Sequence, residues 1–156
     1  MKAERKAYSG GRVSVFRLGV IPGDTYYLDV NSLYPSEMYA HDFPTAFERQ
    51  EVDPTIDELA SALETRCVVA KVNLTTDADA YIYRTDERIL FPVGTFSAYL
   101  TTPELVYAID NGHINSVEMM YVYKRAPLFR SYVSELYNAR LRYKRDGNVS
   151  FSFLCK

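Results

Sequence analysis

The spacing of apolar and polar residues predicts a chain of short strands interleaved with short helices. Runs rich in β-branched and aromatic residues predict strands around Val13, over Thr25–Val30, from Cys67, from Tyr81, over 89–100 and over Val117–Tyr123. Apolar residues at helical spacing predict helices after Pro35, after Thr55, from Thr102 and from Pro127. A further helical or apolar segment is expected after Asn148. Together these elements predict an α+β fold.

Local signals mark where several of these elements start and stop. Thr55-x-x-Glu58 is a capping box, and Thr102-Pro103-Glu104 places a cap, a proline and an acid at a helix start. Gly112 is expected to end that helix, and the segment T-T-D-A-D is expected to join two strands as a hairpin. The apolar side of the longest helix comprises Phe129, Tyr132, Val133, Leu136, Tyr137 and Leu141.

The composition indicates one domain, or a pair of subdomains too small to fold separately. The chain has 156 residues, of which 47% are hydrophobic, so it can bury a core. It contains 14 tyrosines and no tryptophan. Tyrosine has a flat ring and a polar tip, so it suits both packing and wet surfaces that meet ligands.

Charge is close to balanced overall but uneven along the chain. The net charge of −2 gives no global electrostatic argument for a nucleic-acid partner. Residues 2–17 and 140–145 are basic, however, whereas residues 42–64 are acidic. Such a layout can present local positive patches to phosphates.

Several residues that often carry chemistry have ordinary interpretations here. Cys67 and Cys155 are far apart and are expected to be buried, reduced thiols of an intracellular protein. His41 and His113 have no partner at ligand or triad spacing and are expected at the surface or at an interface. The strand around Met119 and Met120 is expected in the core. No apolar run reaches membrane length and no export signal is visible, so we expect a soluble, cytoplasmic protein.

Asp29 lies at the end of a predicted strand, where a carboxylate can be fixed against substrate phosphates through a divalent cation. A tight turn at Asn31-Ser32-Leu33 would expose successive backbone N–H groups to phosphate. Tyr34, restrained by the following proline, would place a flat ring beside a sugar. These parts together predict a nucleotide site.

The same stretch, D-V-N-S-L-Y-P-S, resembles motif A of family B DNA polymerases, whose pattern is Asp-x-x-Ser-Leu-Tyr-Pro. Y-S-G-G, about 18 residues earlier, is similar to the family's Tyr-x-Gly-Gly element, which joins the exonuclease and polymerase domains and contacts the template strand. F-P-V-G-T-F-S-A-Y-L-T-T-P-E-L resembles the segment between motifs A and B in the viral and organellar branch, which includes the protein-primed phage enzymes.

The resemblance implies a partial polymerase palm, an antiparallel sheet with packed helices, and the beginning of a helical fingers subdomain. Residues 1–40 would begin the palm, 41–127 would form an α+β insertion, and 128–156 would start the fingers. The insertion meets DNA and a terminal protein in this branch. The implied partners are primer–template DNA, dNTP, a terminal or priming protein and the remainder of the polymerase, encoded by a phage, plasmid or virus, with no membrane.

The resemblance also implies a role for individual residues. Asp29 would be the catalytic carboxylate and would ligate Mg²⁺, with the Val30 carbonyl as a second contact. The nucleotide would meet Ser32 and Leu33 through N–H groups, Tyr34 under the deoxyribose, and Lys144 and Lys156 at the triphosphate. The DNA would meet Tyr8, Gly10, Gly11 and Arg142.

Three parts of the family's machinery are not in this sequence: the rest of motif B, motif C and the exonuclease carboxylates. Motif B begins with a lysine at the place of Lys156, and motif C, with the second metal-binding carboxylate, lies after motif B. Asp77 and Asp79 have a suggestive spacing, but they precede motif B and are expected in a solvated turn. No exonuclease carboxylate set precedes Tyr8. We therefore expect a fragment that does not polymerise alone, because two-metal transfer needs both carboxylates.

Two alternatives remain open at this stage. The chain could be a non-catalytic module from a split or remnant polymerase gene that binds single-stranded DNA or a priming protein through its basic ends and tyrosines. The motif could also be coincidental in an unrelated α/β domain, in which case Asp29 would be buried in a salt bridge and Tyr34 would be in the core.

Overall fold

The computed structural model describes residues 2–85 and 88–155, and its contacts divide the chain into two compact units. The first combines the chain up to residue 11 with residues 44–125, and we call it the sheet unit. The second combines residues 12–43 with the chain from residue 126 onward, and we call it the helical unit. Both units are therefore built from segments that are distant in sequence.

The described residues contain both helices and strands. The helices are α1 (Lys2–Ala7), α2 (Leu33–Ala40), α3 (Ile56–Thr65), α4 (Thr102–Asp110), α5 (Arg130–Arg145) and α6 (Val149–Leu154). The strands are β1 (Phe43–Val52), β2 (Cys67–Thr76), β3 (Tyr83–Arg84), β4 (Ile89–Leu90), β5 (Gly94–Thr101) and β6 (Ile114–Ala126). The predicted α+β class is confirmed.

The main sheet has four strands in the order β1-β6-β2-β5. β2 is antiparallel to both of its neighbours, so that Val69 lies opposite Thr101 on one side and Tyr121 on the other. β3 and β4 form a separate two-stranded ribbon. Because β2 has no free edge, its backbone donors and acceptors are paired on both sides.

The core lies on the face of this sheet that α3 and α4 cover. Alternate β2 residues point into it, and Val68, Ala70, Val72 and Leu74 are almost completely buried. The helices add buried side chains, which are Leu59, Ala62 and Leu63 from α3 and Leu105 and Ala108 from α4. The opposite face carries α1, whose Ala3 and Ala7 are buried where the helix contacts β2 and β5.

The predicted capping signals form, with one shift of register. The Thr55 hydroxyl accepts the Glu58 N–H at 3.2 Å, while the Thr55 N–H donates to the Glu58 carboxylate at 2.8 Å. At α4 the cap is Thr101, not Thr102 as predicted, and its N–H donates to Glu104 at 2.7 Å. Thr102 is unavailable as a cap because its hydroxyl bonds the Val68 N–H and carbonyl at the start of β2.

The strands predicted around Val13 and over Thr25–Val30 are wrong. Residues 8–32 contain no helix or strand, and side chains such as Phe16 and Tyr27 are 96% and 95% exposed. A strand needs a neighbour to pair its N–H and C=O groups. Among the described residues none pairs with this segment, so it forms no strand although its residues favour one.

The predicted hairpin from Cys67 through T-T-D-A-D to Y-I-Y-R is also wrong. Both edges of β2 are occupied by β5 and β6, so the following segment turns away, and Tyr83–Arg84 pairs with Ile89–Leu90 instead. Asp77 and Asp79 are exposed in a bend, as expected.

The helical unit contains three helices with partly exposed apolar sides. α5 begins at Arg130, three residues later than predicted, after a turn closed by the Leu128 N–H and the Ala126 carbonyl. α2 packs against α5, where the Arg130 guanidinium donates to the Tyr39 carbonyl at 3.3 Å. No residue of α2, α5 or α6 is fully buried, so this unit has little core of its own.

The histidines and cysteines differ in part from expectation. His113 has a partner, because its Nδ1 lies 2.7 Å from the hydroxyl of the buried Tyr81. His41 is exposed and lies 3.1 Å from the Glu37 carboxylate. Cys67 and Cys155 form no disulfide but are half-buried rather than buried.

The two methionines of β6 differ in burial. Met120 is buried in the core as predicted, whereas Met119 is half-exposed and its sulfur accepts the Tyr121 hydroxyl at 2.6 Å. Across residues 2–85 and 88–155, no helix is long and apolar enough to cross a membrane.

The buried leucine of β5 gives a direct test of where the core lies. We expect Leu100→Ala to lower the free energy of unfolding by about 2–5 kcal/mol, because Leu100 is fully buried and its truncation leaves a cavity. Leu28→Ala, the same change at a residue that is 88% exposed, should alter it by less than about 0.5 kcal/mol. Urea unfolding followed by circular dichroism measures both, and equal effects would contradict this assignment.

The Lys71–Glu118 ion pair predicts a dependence of stability on pH. The Lys71 ammonium, and then the Ser97 hydroxyl, lower the pKa of Glu118, while Glu118 raises the pKa of Lys71. A carboxyl group whose pKa is lowered by folding stabilises the fold at pH values above its unfolded-state pKa of about 4.3. This stabilisation is lost as the pH falls through the folded-state pKa. Both side chains are more than a third exposed, so we expect this ion pair to contribute at most about 1 kcal/mol to the free energy of unfolding.

Comparison of wild type with Glu118→Gln measures this contribution. The stability difference should be present at pH 7 and smaller at pH 3. Glu64→Gln, at an exposed position at the end of α3, should show no such change between the two values. A Glu118→Gln deficit that is the same at both pH values would contradict the assignment.

Candidate nucleotide and metal site

Asp29 and Val30 lie in the irregular segment that leads into α2, in the helical unit. The Asp29 side chain is exposed, and Val30 is 63% exposed. Asp29 is thus not the buried, salt-bridged residue that a coincidental motif would have. A carboxylate and a backbone carbonyl are both hard oxygen donors of the type that Mg²⁺ prefers.

The chain turns sharply between Asp29 and α2, as the sequence predicts. Asn31 and Ser32 form the turn, and Ser32 has φ 56° and ψ 38°, in the left-handed region that costs a non-glycine residue on the order of 1 kcal/mol. Its carbonyl accepts the Ser36 N–H at 2.9 Å, which closes the first turn of α2. The Ser32 side chain makes no capping bond, so it does not cover the helix end.

The first turn of α2 therefore points backbone donors away from the helix. The N–H groups of Leu33 and Tyr34 have no helical carbonyl to pair with, and Pro35 has no N–H. The Ser36 hydroxyl donates back to the Leu33 carbonyl at 2.7 Å and so stabilises this end. An anion is favoured at such a terminus by the N–H groups and by the helix dipole.

Tyr34 occupies the second position of α2 with its side chain 78% exposed. Tyr34 is therefore not in the core, where a coincidental motif in an unrelated domain was expected to place it. The ring and the two N–H groups belong to consecutive residues, so one short segment presents a flat aromatic surface beside an anion-binding helix end.

The predicted cations of the C-terminal region lie at the end of α5. Arg142 and Lys144 are in its last turn, both are exposed, and the Arg142 guanidinium is 5.7 Å from the centre of the Tyr143 ring. α5 rises about 21 Å from Arg130 to Lys144, so these cations are at the opposite end from the Tyr39 contact. Lys156 lies outside the described residues.

The Tyr8-Ser9-Gly10-Gly11 segment follows α1 and belongs to the sheet unit. The Tyr8 N–H bonds the Glu4 carbonyl at 2.9 Å, its carbonyl accepts from Arg84, and its side chain is 73% exposed. A Cβ added at Gly10 or Gly11 would meet nothing within 4 Å. The packing of this chain therefore does not itself require glycine at these two positions.

The sequence profile of the family described as DNA polymerase type B, organellar and viral, matches this chain over residues 2–156. The chain belongs to this family. It is also 25% identical over 158 aligned residues to a "Probable DNA polymerase" of Ascobolus immersus. That alignment covers 94% of the chain but 12% of the relative. No solved structure matches the chain.

Type B polymerases generally use Mg²⁺, and the described residues include oxygen donors of the kind that this ion prefers. Asp29 and the Val30 carbonyl are suitable ligands. Within residues 2–85 and 88–155, however, no group of three or more His, Cys, Asp or Glu side chains is placed to hold a metal ion. The fit to a metal site is therefore partial.

One cleft of this chain, whose lining carries several cations, was not predicted from the sequence. It lies in the sheet unit and is lined by Lys6, Lys71 and Arg84 among others. Lys6 belongs to the basic N-terminal run, which was a usable signal. Lys71 and Arg84 are isolated cations in strands, so only the pairing of strands and the docking of α1 bring them together.

Proposed function

We propose that this chain is the segment of a DNA-directed DNA polymerase that carries the motif A half of the dNTP and metal site. The parent reaction is transfer of a nucleotidyl group from a dNTP to a primer 3′-hydroxyl during DNA replication. The observation that carries this proposal is the continuous segment Asp29–Tyr34, in which an exposed carboxylate, a left-handed turn, a helix N-terminus and an exposed ring follow one another. The family match over residues 2–156 supports it.

Each part of the segment has a distinct task in this proposal. Asp29 holds the metal through its carboxylate, with the Val30 carbonyl as a second donor. The N–H groups around Ser32 and Leu33 donate to phosphate oxygens, and Tyr34 packs under the deoxyribose. When bound, Mg²⁺ supplies positive charge that offsets the charge developing on the phosphoryl oxygens.

The left-handed turn suggests why this arrangement suits phosphate. Ser32 leaves the helix end uncapped, so the orphan N–H groups remain available to a ligand. Donors fixed in advance need no reorganisation when charge develops, which is the main source of electrostatic catalysis. Lys144 and Lys156 would add cations to the triphosphate, and Arg142, Tyr8, Gly10 and Gly11 would contact DNA.

The division of labour along the chain is also part of the proposal. Residues 1–40 begin the palm, residues 41–127 form the insertion between motifs A and B, and residues 128–156 begin the fingers. The insertion is the place for a terminal or priming protein, and the remainder of the polymerase supplies the second carboxylate. The chain spans about 12% of the length of the relative it matches, which leaves room for those parts.

Metal-dependent primer extension tests the proposed role of Asp29. We expect the 156-residue polypeptide to extend no primer, because the second metal-binding carboxylate of two-metal transfer lies outside it. In the longer protein that continues past motif C, Asp29→Asn should lower kcat by about 10³-fold or more, with DNA affinity unchanged. A gel-based extension assay with Mg²⁺ and dNTP measures both.

Asp24→Asn is the matched control, because it removes the same charge from an exposed position five residues earlier. It should leave extension within about twofold of wild type. Extension by the 156-residue polypeptide that is abolished by Asp29→Ala would overturn the prediction of inactivity. Equal loss on Asp24→Asn and Asp29→Asn would count against a specific metal role.

Tyr34 is expected to discriminate against ribonucleotides. Its ring would lie where a 2′-hydroxyl projects, so Tyr34→Val should open that space. We expect the ratio of kcat/KM for dNTP over rNTP to fall by about 10- to 100-fold in the longer protein, which corresponds to about 1–3 kcal/mol. Tyr26→Val, at an exposed tyrosine before the motif, is the control. An unchanged ratio in Tyr34→Val would contradict the placement.

A second candidate is a non-catalytic module that binds single-stranded DNA or a priming protein. The observation in its favour is the number of exposed tyrosines, including Tyr8, Tyr26, Tyr27, Tyr34, Tyr132 and Tyr137. A DNA affinity that depends on salt and on Arg142 and Lys144, in a longer protein whose activity does not respond to Asp29→Asn, would favour it.

A further inference from the structure

The cleft of the sheet unit has the features of an anion site and has no role in the nucleotide site described above. It has a volume of about 330 Å³ and lies between the end of α1, the β3 segment and β5. Its polar lining includes Lys6, Ser9, Lys71, Arg84, Thr85 and Glu104. The volume is at the lower end of the range for ligand pockets, which suits one phosphate and its sugar.

Lys6 is held at the cleft by the docking of α1. Ala3 and Ala7, on the same side of this helix, are buried against the sheet. The Lys6 ammonium lies 5.0 Å from the centre of the Tyr99 ring on β5. A cation over an aromatic face is attracted to it, so the ring positions the charge without neutralising it.

Arg84 closes the other side of the cleft. Its Nη2 donates to the Tyr8 carbonyl at 2.7 Å, which ties the segment after α1 to β3. A guanidinium has five N–H donors in a fixed fork, so one bond to Tyr8 leaves donors for a second acceptor. Arg84 is exposed, and its remaining donors are accessible.

Among residues 2–85 and 88–155, the carboxylates near the cleft are already engaged. Glu104 accepts the N–H and the hydroxyl of Thr101, each at 2.7 Å. Glu118 pairs with Lys71 and accepts the Ser97 hydroxyl at 2.7 Å. Across residues 2–85 and 88–155, neither Lys6 nor Arg84 has a carboxylate within salt-bridge distance.

We propose that this cleft binds a phosphodiester group of a single DNA strand, with Lys6 and Arg84 as its charged donors. The proposal rests on the proposed polymerase function, which supplies DNA as the anion. A guanidinium fork and an ammonium together match phosphate oxygens. Tyr83, which is 38% exposed, lines the cleft with a ring on which a base of an unpaired strand can stack. Tyr8, between the lining residues Ala7 and Ser9, is 73% exposed.

The arrangement also gives Arg84 a positioning role. By holding the Tyr8 carbonyl, it fixes the start of the Tyr8-Ser9-Gly10-Gly11 segment beside the cleft. A strand that enters the cleft would continue along two glycines that present backbone without side chains. This connects the cleft to the segment expected to contact template DNA.

Fluorescence anisotropy with a labelled dT20 oligonucleotide tests the cleft in the 156-residue chain. We expect Lys6→Ala/Arg84→Ala to raise Kd at least fivefold at 50 mM salt. The slope of log K against log salt should become shallower by about 1.4, because two phosphate contacts are lost from a single strand. Arg49→Ala/Lys124→Ala removes the same two charges outside the cleft and should change Kd less than twofold.

The alternatives lead to distinct results. If wild type binds dT20 and both double variants weaken binding equally, or neither weakens it, the chain binds DNA but the proposed role of the cleft is contradicted. No binding by wild type would overturn the cleft and DNA binding by this chain together, whereas the Asp29 experiment judges the polymerase proposal separately. If dTTP displaces dT20 with equal strength at equal nucleotide concentration, the cleft is a dNTP site and the proposal fails.

A folding defect must be separated from a lost contact. Lys6→Gln/Arg84→Gln retains most of the side-chain stems, and circular dichroism and urea unfolding report its fold. We expect this variant to unfold like wild type and to bind dT20 as weakly as the alanine variant. Recovery of wild-type affinity in the glutamine variant would show that charge is not the cause and would overturn the proposal.

Discussion

The pairing of β2 on both of its edges is the constraint on which the sheet unit depends. β5 and β6 satisfy its backbone groups, and the alternation of its side chains then decides which residues are buried. Val68, Ala70, Val72 and Leu74 face α3 and α4, while Lys71 faces the opposite side. The same register that builds the core therefore places a cation beside α1 and the cleft.

The segment from residue 8 to residue 32 shows what happens where that constraint is missing. Its composition favours strand, yet it remains irregular and exposed because no described strand pairs with it. The proposed metal and nucleotide residues lie at its end, where order begins with the turn at Ser32 and with α2. In the proposed polymerase, residues outside this chain would both complete the metal site and give this segment neighbours.

The charge that this molecule can offer to a ligand depends on which charged side chains are already paired, as well as on how many there are. Glu48, Glu104 and Glu118 are all bound by nearby donors, and Glu58 caps α3. Lys6 and Arg84 have no such partner among the described residues. A chain with a net charge of −2 can therefore still present a positive cleft, because local pairing determines which charges face a ligand.

The sequence by itself determined the elements whose signals are local, together with the family. Three features were predictable because they depend on neighbouring residues: the capping box at Thr55, the turn before Leu33 and the end of α4 near Gly112. Motif A identified the candidate nucleotide residues for the same reason, since Asp29, Ser32, Leu33 and Tyr34 are contiguous. Their metal and phosphate roles remain a proposal.

Tertiary structure alone decided which distant segments pair. The occupied edges of β2 prevented the expected hairpin. Thr25–Val30 has no strand structure, and no described strand pairs with it. The hydroxyl of Thr102 bonds to Val68, 34 positions away, and so moved the cap of α4 to Thr101. Tyr81 with His113, and Lys6 with Tyr99, likewise meet through long-range packing that no spacing in the sequence encodes. Caps and turns are determined by residues that are neighbours in sequence, whereas pairing across the sheet depends on competition among all the strands that could occupy an edge.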